Sequence, residues 1–325
     1  MVARKALIVG IDYYAHIAQL HGCVHDAQRV NSVLERNGDD TLNFHTNLKC
    51  YKDYLTSITR SELKNLVSDL FNCDAEVALL YFSGHGHVES TGGYLCTSDC
   101  RTGDDGLALG DVLVMADQSR AKNRLIVLDC CHAGIAGAPP GQQASMLREG
   151  TTILTASTAE QYAIEEDGGG VFSGLFVDAL NGAAGNLVGD VTPGSVYAHI
   201  DQSLGAWTQR PVFKTNVNAF VSLRKVEPPI SLNALLRLTE FFPQPDCIFG
   251  LDPSFEPEMS GRLAGAVPPN PVNTQKFAIL QGYVRVNLVV PVNAKHMWHA
   301  AMQSTGCKLT ALGKHYRRLV EKHLL

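Results

Sequence analysis

AEVALLYFSGHGH (residues 75–87) and RLIVLDCCHAG (residues 124–134) share one pattern, a short unbroken apolar run that stops at a cluster of reactive residues. Such a continuous run marks a strand buried on both faces, as in a parallel sheet covered by helices. Its apolar hearts here are 77–82 and 125–128, and further strands are expected at 6–11, 44–51 and 152–156. Between them lie helical patterns at 26–37, 61–71, 109–116, 173–181 and 195–204. Thr59 or Ser61 is placed to cap the second, with Glu62 in its first turn, and Pro193 followed by Gly194 and Ser195 opens the last. The alternation predicts an α/β fold, a mostly parallel sheet with helices on both faces.

The chain has 325 residues, 45% of them hydrophobic and 18% charged, which suits a folded domain with an appendage rather than a disordered chain. A formal net charge of −5 argues against nucleic acid as the main partner and leaves protein as the default. No apolar run reaches the roughly 18 to 20 residues that span a bilayer, so no membrane partner is expected. The opening MVARKALIVGIDYY meets Asp12 too soon for a signal peptide. Nine scattered cysteines, many inside apolar strands, read as reduced thiols in a cytoplasmic setting.

Residues 134–150 are polar and rich in Gly, Pro and Gln, so a loop or a disordered insertion is expected directly behind the Cys131 strand. The expected division is a core domain over 1–225, a Pro/Gly-rich linker over 226–275 and a small, mainly helical C-terminal module over 276–325. The module holds an apolar run at 277–292 and helical patterns at 294–303 and 309–322, the last of them basic and read as a solvated face.

Carboxyl ends of parallel strands share one edge of a sheet, where ligands bind at a change of strand order, so His85 and Cys131 are expected to meet there. A neutral imidazole can take a thiol proton and return it to a leaving amine, which makes the two a candidate nucleophile and base. Gly84 and Gly86 let the backbone turn and approach a substrate closely, and the amides of Gly86 and Cys131 are candidate oxyanion donors. Strand alternation puts Asp129 and Cys131 on one face and Cys130 on the other, which selects Cys131 as nucleophile and Cys130 as a core residue. Asp129 then sets a carboxylate at the mouth of the site, suited to a Lys or Arg side chain. Asp26 reads equally as a first-turn helix residue answering the macrodipole or as a second binding carboxylate. Zinc held by His85, His87, Cys130, Cys131 and His132 is disfavoured, because consecutive ligands fit tetrahedral ligand spacing badly.

The set ALIVGIDYY (6–14), GCVHDA (22–27), YFSGHGH (81–87), GGYLCTSD (92–99) and LIVLDCCHAG (125–134) resembles the caspase-like cysteine peptidases, and within them the metacaspases and their bacterial relatives, across residues 1–225. The resemblance implies a caspase-like fold and a catalytic dyad of His85 and Cys131. It also implies a pocket for basic residues formed by Asp26 and Asp129, with Cys23 as a packing neighbour, and cleavage after Arg or Lys. Relatives are cut in the segment corresponding to 134–150, where Arg148 is the candidate for self-cleavage. Many metacaspases bind calcium; Asp99, Asp104 and Asp105 are local candidates, but no acidic set after Cys131 completes a site, so no cofactor is expected. The resemblance further implies protein substrates and a role as a signal-activated effector in a bacterial stress or phage-defence response. An upstream protease or a regulator would act through the C-terminal module, which resembles small adaptor or winged-helix-like domains; a helical cap is its other reading. The rival readings are a catalytically silent scaffold of the same fold and a peptidase with a different first-site preference.

Overall fold

The computed structural model describes residues 3–130, 147–156, 165–166, 169–204, 210–262 and 264–325. The chain divides into two compact units, one of residues 1–185 and 189–227, the other of residues 186–188 and 228–325.

In the first unit the strands are β1 (Arg4–Ile11), β2 (His45–Tyr51), β3 (Val77–Ser83), β4 (Gly86–Glu89), β5 (Gly92–Leu95), β6 (Leu107–Ala108), β7 (Asn123–Asp129), β8 (Thr151–Thr155), β9 (Glu165–Glu166), β10 (Gly169–Gly170), β11 (Asp190–Val191), β12 (Val212–Asn216) and β13 (Arg224–Lys225). Its α-helices are α1 (Cys23–Glu35), α2 (Arg60–Phe71), α3 (Leu109–Gln118), α4 (Val171–Asp178) and α5 (Pro193–Ser203). Six strands form the central sheet in the order β12-β8-β7-β3-β1-β2. Every neighbouring pair is parallel except β12, which runs antiparallel to β8 along one edge. This is the expected α/β architecture, a mostly parallel sheet with helices on both faces. Neither the edge strand β12 nor the small antiparallel sheet β4-β5-β6 has a sequence pattern strong enough to announce it.

Alternation along the strands divides the core in two. Leu80, Phe82, Ile126 and Leu128 point to the face covered by Leu63 and Val67 of α2 and Val112 of α3. Leu79, Tyr81, Leu125 and Val127 point to the other face, under Val30 of α1, Phe172 and Phe176 of α4, and Val196 and Ile200 of α5. Burial on both sides explains why β3 and β7 read as continuous apolar runs rather than alternating ones.

The helix starts are chemically specified. Thr59, not Ser61, caps α2: its side chain accepts from the Glu62 amide while Glu62 accepts from the Thr59 amide at 2.8 Å. Thr192 caps α5 in the same reciprocal way with Ser195, and Pro193 occupies the first turn. Helix α1 begins at Cys23, three residues earlier than its apolar pattern suggests, and Gly22 offers it no capping side chain. Asp12, just past the end of β1, does so instead, accepting from the Cys23 amide at 2.9 Å and the Val24 amide at 3.3 Å. Burial pushes the Asp12 carboxyl up from its ordinary range, and these two amide bonds oppose the shift.

In the second unit, α6 (Leu232–Leu236), α7 (Leu238–Phe241), β14 (Ile248–Gly250), α8 (Pro271–Arg285), β15 (Val289–Val292), α9 (Met297–Met302), β16 (Gly306–Leu309) and α10 (Ala311–Glu321) surround their own core. The expected linker over 226–275 is corrected here, because most of that stretch is built into the fold. Leu235, Leu238 and Phe242 are fully buried, and β14 pairs with β16 in an antiparallel sheet of order β14-β16-β15. Two of the prolines that read as linker punctuation instead start elements, Pro253 a single helical turn behind Asp252 and Pro271 the helix α8 behind its Asn270 cap. The basic last helix is also not a purely solvated face. Arg317 is buried, donating from Nε to the Phe242 carbonyl at 2.6 Å and from Nη1 to Glu321 at 3.0 Å.

The remote cap makes Asp12 a stability determinant. Asp12→Ala should lower the unfolding free energy by about 1–2 kcal/mol, the usual worth of an N-cap, and Asp12→Asn by less. The urea midpoint at constant m-value reads this, and an Asp12→Ala midpoint equal to wild type would contradict the capping role.

Candidate active site

The site is built on the pairing of β3 with β7, in which Ser83 stands opposite Asp129 and the Gly84 amide donates to the Asp129 carbonyl at 3.3 Å. Both strands therefore stop at one level of the sheet's carboxyl edge. His85 lies two residues beyond Ser83, and in sequence Cys131 lies two beyond Asp129. Cys131, with its amide, and His132 lie outside the described residues.

His85 is half-buried and held from two sides by the segment after β1. Its amide donates to Tyr14 Oη at 2.8 Å, and its ring packs against the Tyr14 ring with centroids 4.7 Å apart. Its Nε2 lies 2.8 Å from the Ala18 carbonyl oxygen. A carbonyl oxygen only accepts, so Nε2 carries the proton, and in the neutral ring Nδ1 is the bare nitrogen. Tyr14 is buried, and burial drives its hydroxyl well above its ordinary range, with Cys23, Cys96 and Cys130 adding to the shift, so it stays a neutral phenol. Gly84 is required by space: a Cβ there would stand 2.6 Å from Tyr14 Oη. Gly86 opens β4 opposite Leu95, and the Cys96 amide donates to the His85 carbonyl at 3.0 Å.

The two carboxylates come together. Asp26, 1% exposed in the first turn of α1, accepts from the Gly170 amide at 2.7 Å and has Arg29 Nη1 at 3.7 Å. Asp129, 5% exposed at the end of β7, accepts from Ser173 Oγ at 2.5 Å. A Cβ built on Gly170 would lie 2.5 Å from Asp129 Oδ2 and 3.2 Å from Asp26 Oδ2, so the separation of those oxygens cannot exceed the sum of the two. Only glycine lets β10 pass so close to both. Cys23, the first residue of α1, is buried and adds to the upward shift of both Tyr14 and Tyr81.

Other sequence candidates are placed elsewhere. Cys130 is 2% exposed among Ile126 and Leu128, on the core face opposite Asp129, as alternation requires. The His87 ring packs over Gly103, with Nε2 3.4 Å from Glu89. Asp99, Asp104 and Asp105 are engaged by Thr97, by Thr102 and by the amides of Arg101 and Gly103. Among the described residues no group of three or more His, Cys, Asp or Glu side chains is arranged to hold a metal ion. Arg148 is exposed, and its Nη1 donates to the carbonyls of Asp117 and Ser119. It precedes β8, which runs parallel to β7, so it sits at the amino edge of the sheet, about 20 Å from the edge that carries Asp129 at ~3.3 Å per residue of strand.

The model of the caspase domain, a peptidase family, matches residues 3–220. The chain belongs to the caspase domain family. Among curated proteins it is similar to metacaspase-6 of Arabidopsis thaliana, 33% identical over 91 residues that make up 26% of this chain and 24% of that protein. It is similar also to metacaspase-8 of the same plant, 29% identical over 148 residues, 41% of this chain and 38% of that one. The chain thus spans well under half the length of these relatives. Its fold recurs among solved structures. Caspase-1 of Spodoptera frugiperda superposes with a TM-score of 0.51 at 13% identity, over 69% of this chain and 91% of its own. A Geobacter sulfurreducens protein gives 0.50 at 16% identity, over 69% and 100%.

Several residues that shape this caspase domain's site escaped the sequence reading. Tyr14 closes the motif at 6–14 but shows its role only through a hydrogen bond 71 positions away. Tyr81 and Ser173 look like ordinary strand and helix residues, and Gly169 and Gly170 like a loop. The tautomer assignment is open to direct test. With ring-15N histidine, the neutral form of His85 should show Nε2 protonated and hydrogen-bonded and Nδ1 bare; the opposite tautomer would contradict the Ala18 contact.

Proposed function

We propose that this chain is a cysteine endopeptidase that cuts polypeptides after Arg or Lys, with Cys131 as nucleophile and His85 as base. His85 Nδ1 takes the thiol proton, and the Cys131 sulfur adds to the scissile carbonyl. The oxyanion is held by the amides of Gly86 and Cys131. Collapse expels the amine, which takes the proton back from His85, and water then hydrolyses the thioester under the same base.

The observation that carries this reading is the convergence of Asp26 and Asp129 on Gly170, at the sheet edge that also bears His85. Two carboxylates this close repel one another, and a guanidinium or ammonium placed between them relieves that repulsion while forming charge-assisted bonds. A first-site Asp would meet two like charges. Membership of the caspase domain family supports the thiol chemistry.

We place the enzyme in the cytoplasm of a bacterium, as an effector switched on by a stress or phage signal, with an upstream protease or a regulator engaging the second unit. Self-processing after Arg148 would pass between molecules, because that residue and the pocket stand at opposite edges of the sheet.

Fluorogenic peptides ending in Arg, Lys or Asp test the core of this. Wild type should turn over the basic pair and leave Asp uncut, and Cys131→Ala should be inactive. Asp26→Ala and Asp129→Ala should each lose about a hundredfold or more in kcat/KM on Arg, the scale of a lost charge-assisted contact. Turnover of Asp by wild type would refute the pocket assignment, and no turnover of any peptide would favour the silent scaffold. In the same incubation, Cys131→Ala protein should be cut after Arg148 by added wild type, at a rate that rises with wild-type concentration. Self-cleavage at a rate independent of concentration would contradict the intermolecular step.

A further inference from the structure

Tyr81 and Ser173 are fully buried polar side chains that face each other between β3 and α4. Their hydroxyl oxygens lie 2.5 Å apart, and Ser173 Oγ lies 2.5 Å from Asp129 Oδ2. A serine hydroxyl has one proton, and a carboxylate accepts only, so Ser173 donates to Asp129 and Tyr81 donates to Ser173. Burial first, then Asp129 and Asp26, hold the Tyr81 hydroxyl well above its ordinary range, so that donor is always charged with its proton. An alanine and a phenylalanine would fill the same space with no polar atom to satisfy, so the hydroxyl pair has a purpose beyond packing.

We propose that Ser173, oriented by Tyr81, is the positioning residue that fixes the Asp129 carboxylate for a planar guanidinium and thereby sets the preference for Arg over Lys. This deepens the pocket reading above and rests on it. With one oxygen tied to Ser173, the carboxylate plane cannot turn freely. A guanidinium forms two parallel bonds only in a matching plane, whereas an ammonium is a point charge that tolerates rotation. Loss of the tether therefore penalises Arg more than Lys.

The test is a kcat and KM comparison on paired Arg and Lys peptides, with thermal midpoints recorded for every variant. Ser173→Ala should raise KM for Arg about tenfold and for Lys no more than about threefold, with kcat nearly unchanged; a charge-assisted hydrogen bond is worth this much. Ser173→Thr should restore the wild-type ratio, and Tyr81→Phe should shift it in the direction of Ser173→Ala by a smaller factor. A folded Ser173→Ala with the wild-type Arg-to-Lys ratio, or with equal losses on both, overturns the proposal and leaves the pocket standing. Should Ser173→Ala fail to fold, a folded Tyr81→Phe with an unchanged ratio does the same. Wild type that cuts neither peptide, or Asp129→Ala that keeps full turnover on Arg, removes the pocket and this proposal with it.

Discussion

The register of β3 on β7 is the constraint from which the rest of the site follows. Parallel pairing with Ser83 opposite Asp129 ends two apolar strands at one level, so the residues just beyond them enter the same solvent-facing edge. A slip of one residue would turn Asp129 to the other face and separate it from Ser173 and Asp26. That register is fixed from both sides, because Leu80, Phe82, Ile126 and Leu128 must face one core while Leu79, Tyr81, Leu125 and Val127 face the other. The packing that makes the sheet stable is thus what aims the chemistry.

Around this edge, most of the polar contacts pair a side chain with a backbone group. The segment after β1 supplies the Asp12 cap of α1, the Tyr14 hydroxyl under His85 and the Ala18 carbonyl on its ring. One short connection thereby positions both the helix that carries Asp26 and the proposed base. On the other side of the site, β10 brings the Gly170 amide to Asp26 and leads into α4, whose Ser173 reaches Asp129. Asp26 and Asp129 are thus both reached from residues 169–178, which ties their orientation to one piece of chain.

Much of this was legible from residues alone, and the exceptions have physical reasons. Buried parallel strands show as uninterrupted apolar runs, so β1, β3, β7 and β8 were readable, and alternation correctly sent Cys130 into the core. Strand β12 lies at an edge with three of its five residues partly exposed and the other two exposed, which leaves no such run. The stretch 226–275 misled because proline is frequent both in linkers and at helix starts, and its aromatic residues declare a core only once Phe242, Phe249 and Phe255 are seen packed together. At the site, the strand ends singled out His85 and Asp129, while Asp26 stood out from a plain first-turn helix residue only through the family resemblance. Motif spacing could not mark Tyr14, Tyr81, Ser173 or Gly170, whose importance exists only in contacts between distant segments.

A covalent complex reads the arrangement of the site most directly. A crystal structure of the protein treated with a peptidyl-arginine chloromethyl ketone should show a bond from Cys131 to the inhibitor carbon and His85 Nδ1 beside that sulfur. The guanidinium should lie between Asp26 and Asp129, with Ser173 still bonded to Asp129. A guanidinium seated elsewhere, or an inhibitor attached to another cysteine with His85 turned away from it, would contradict the account.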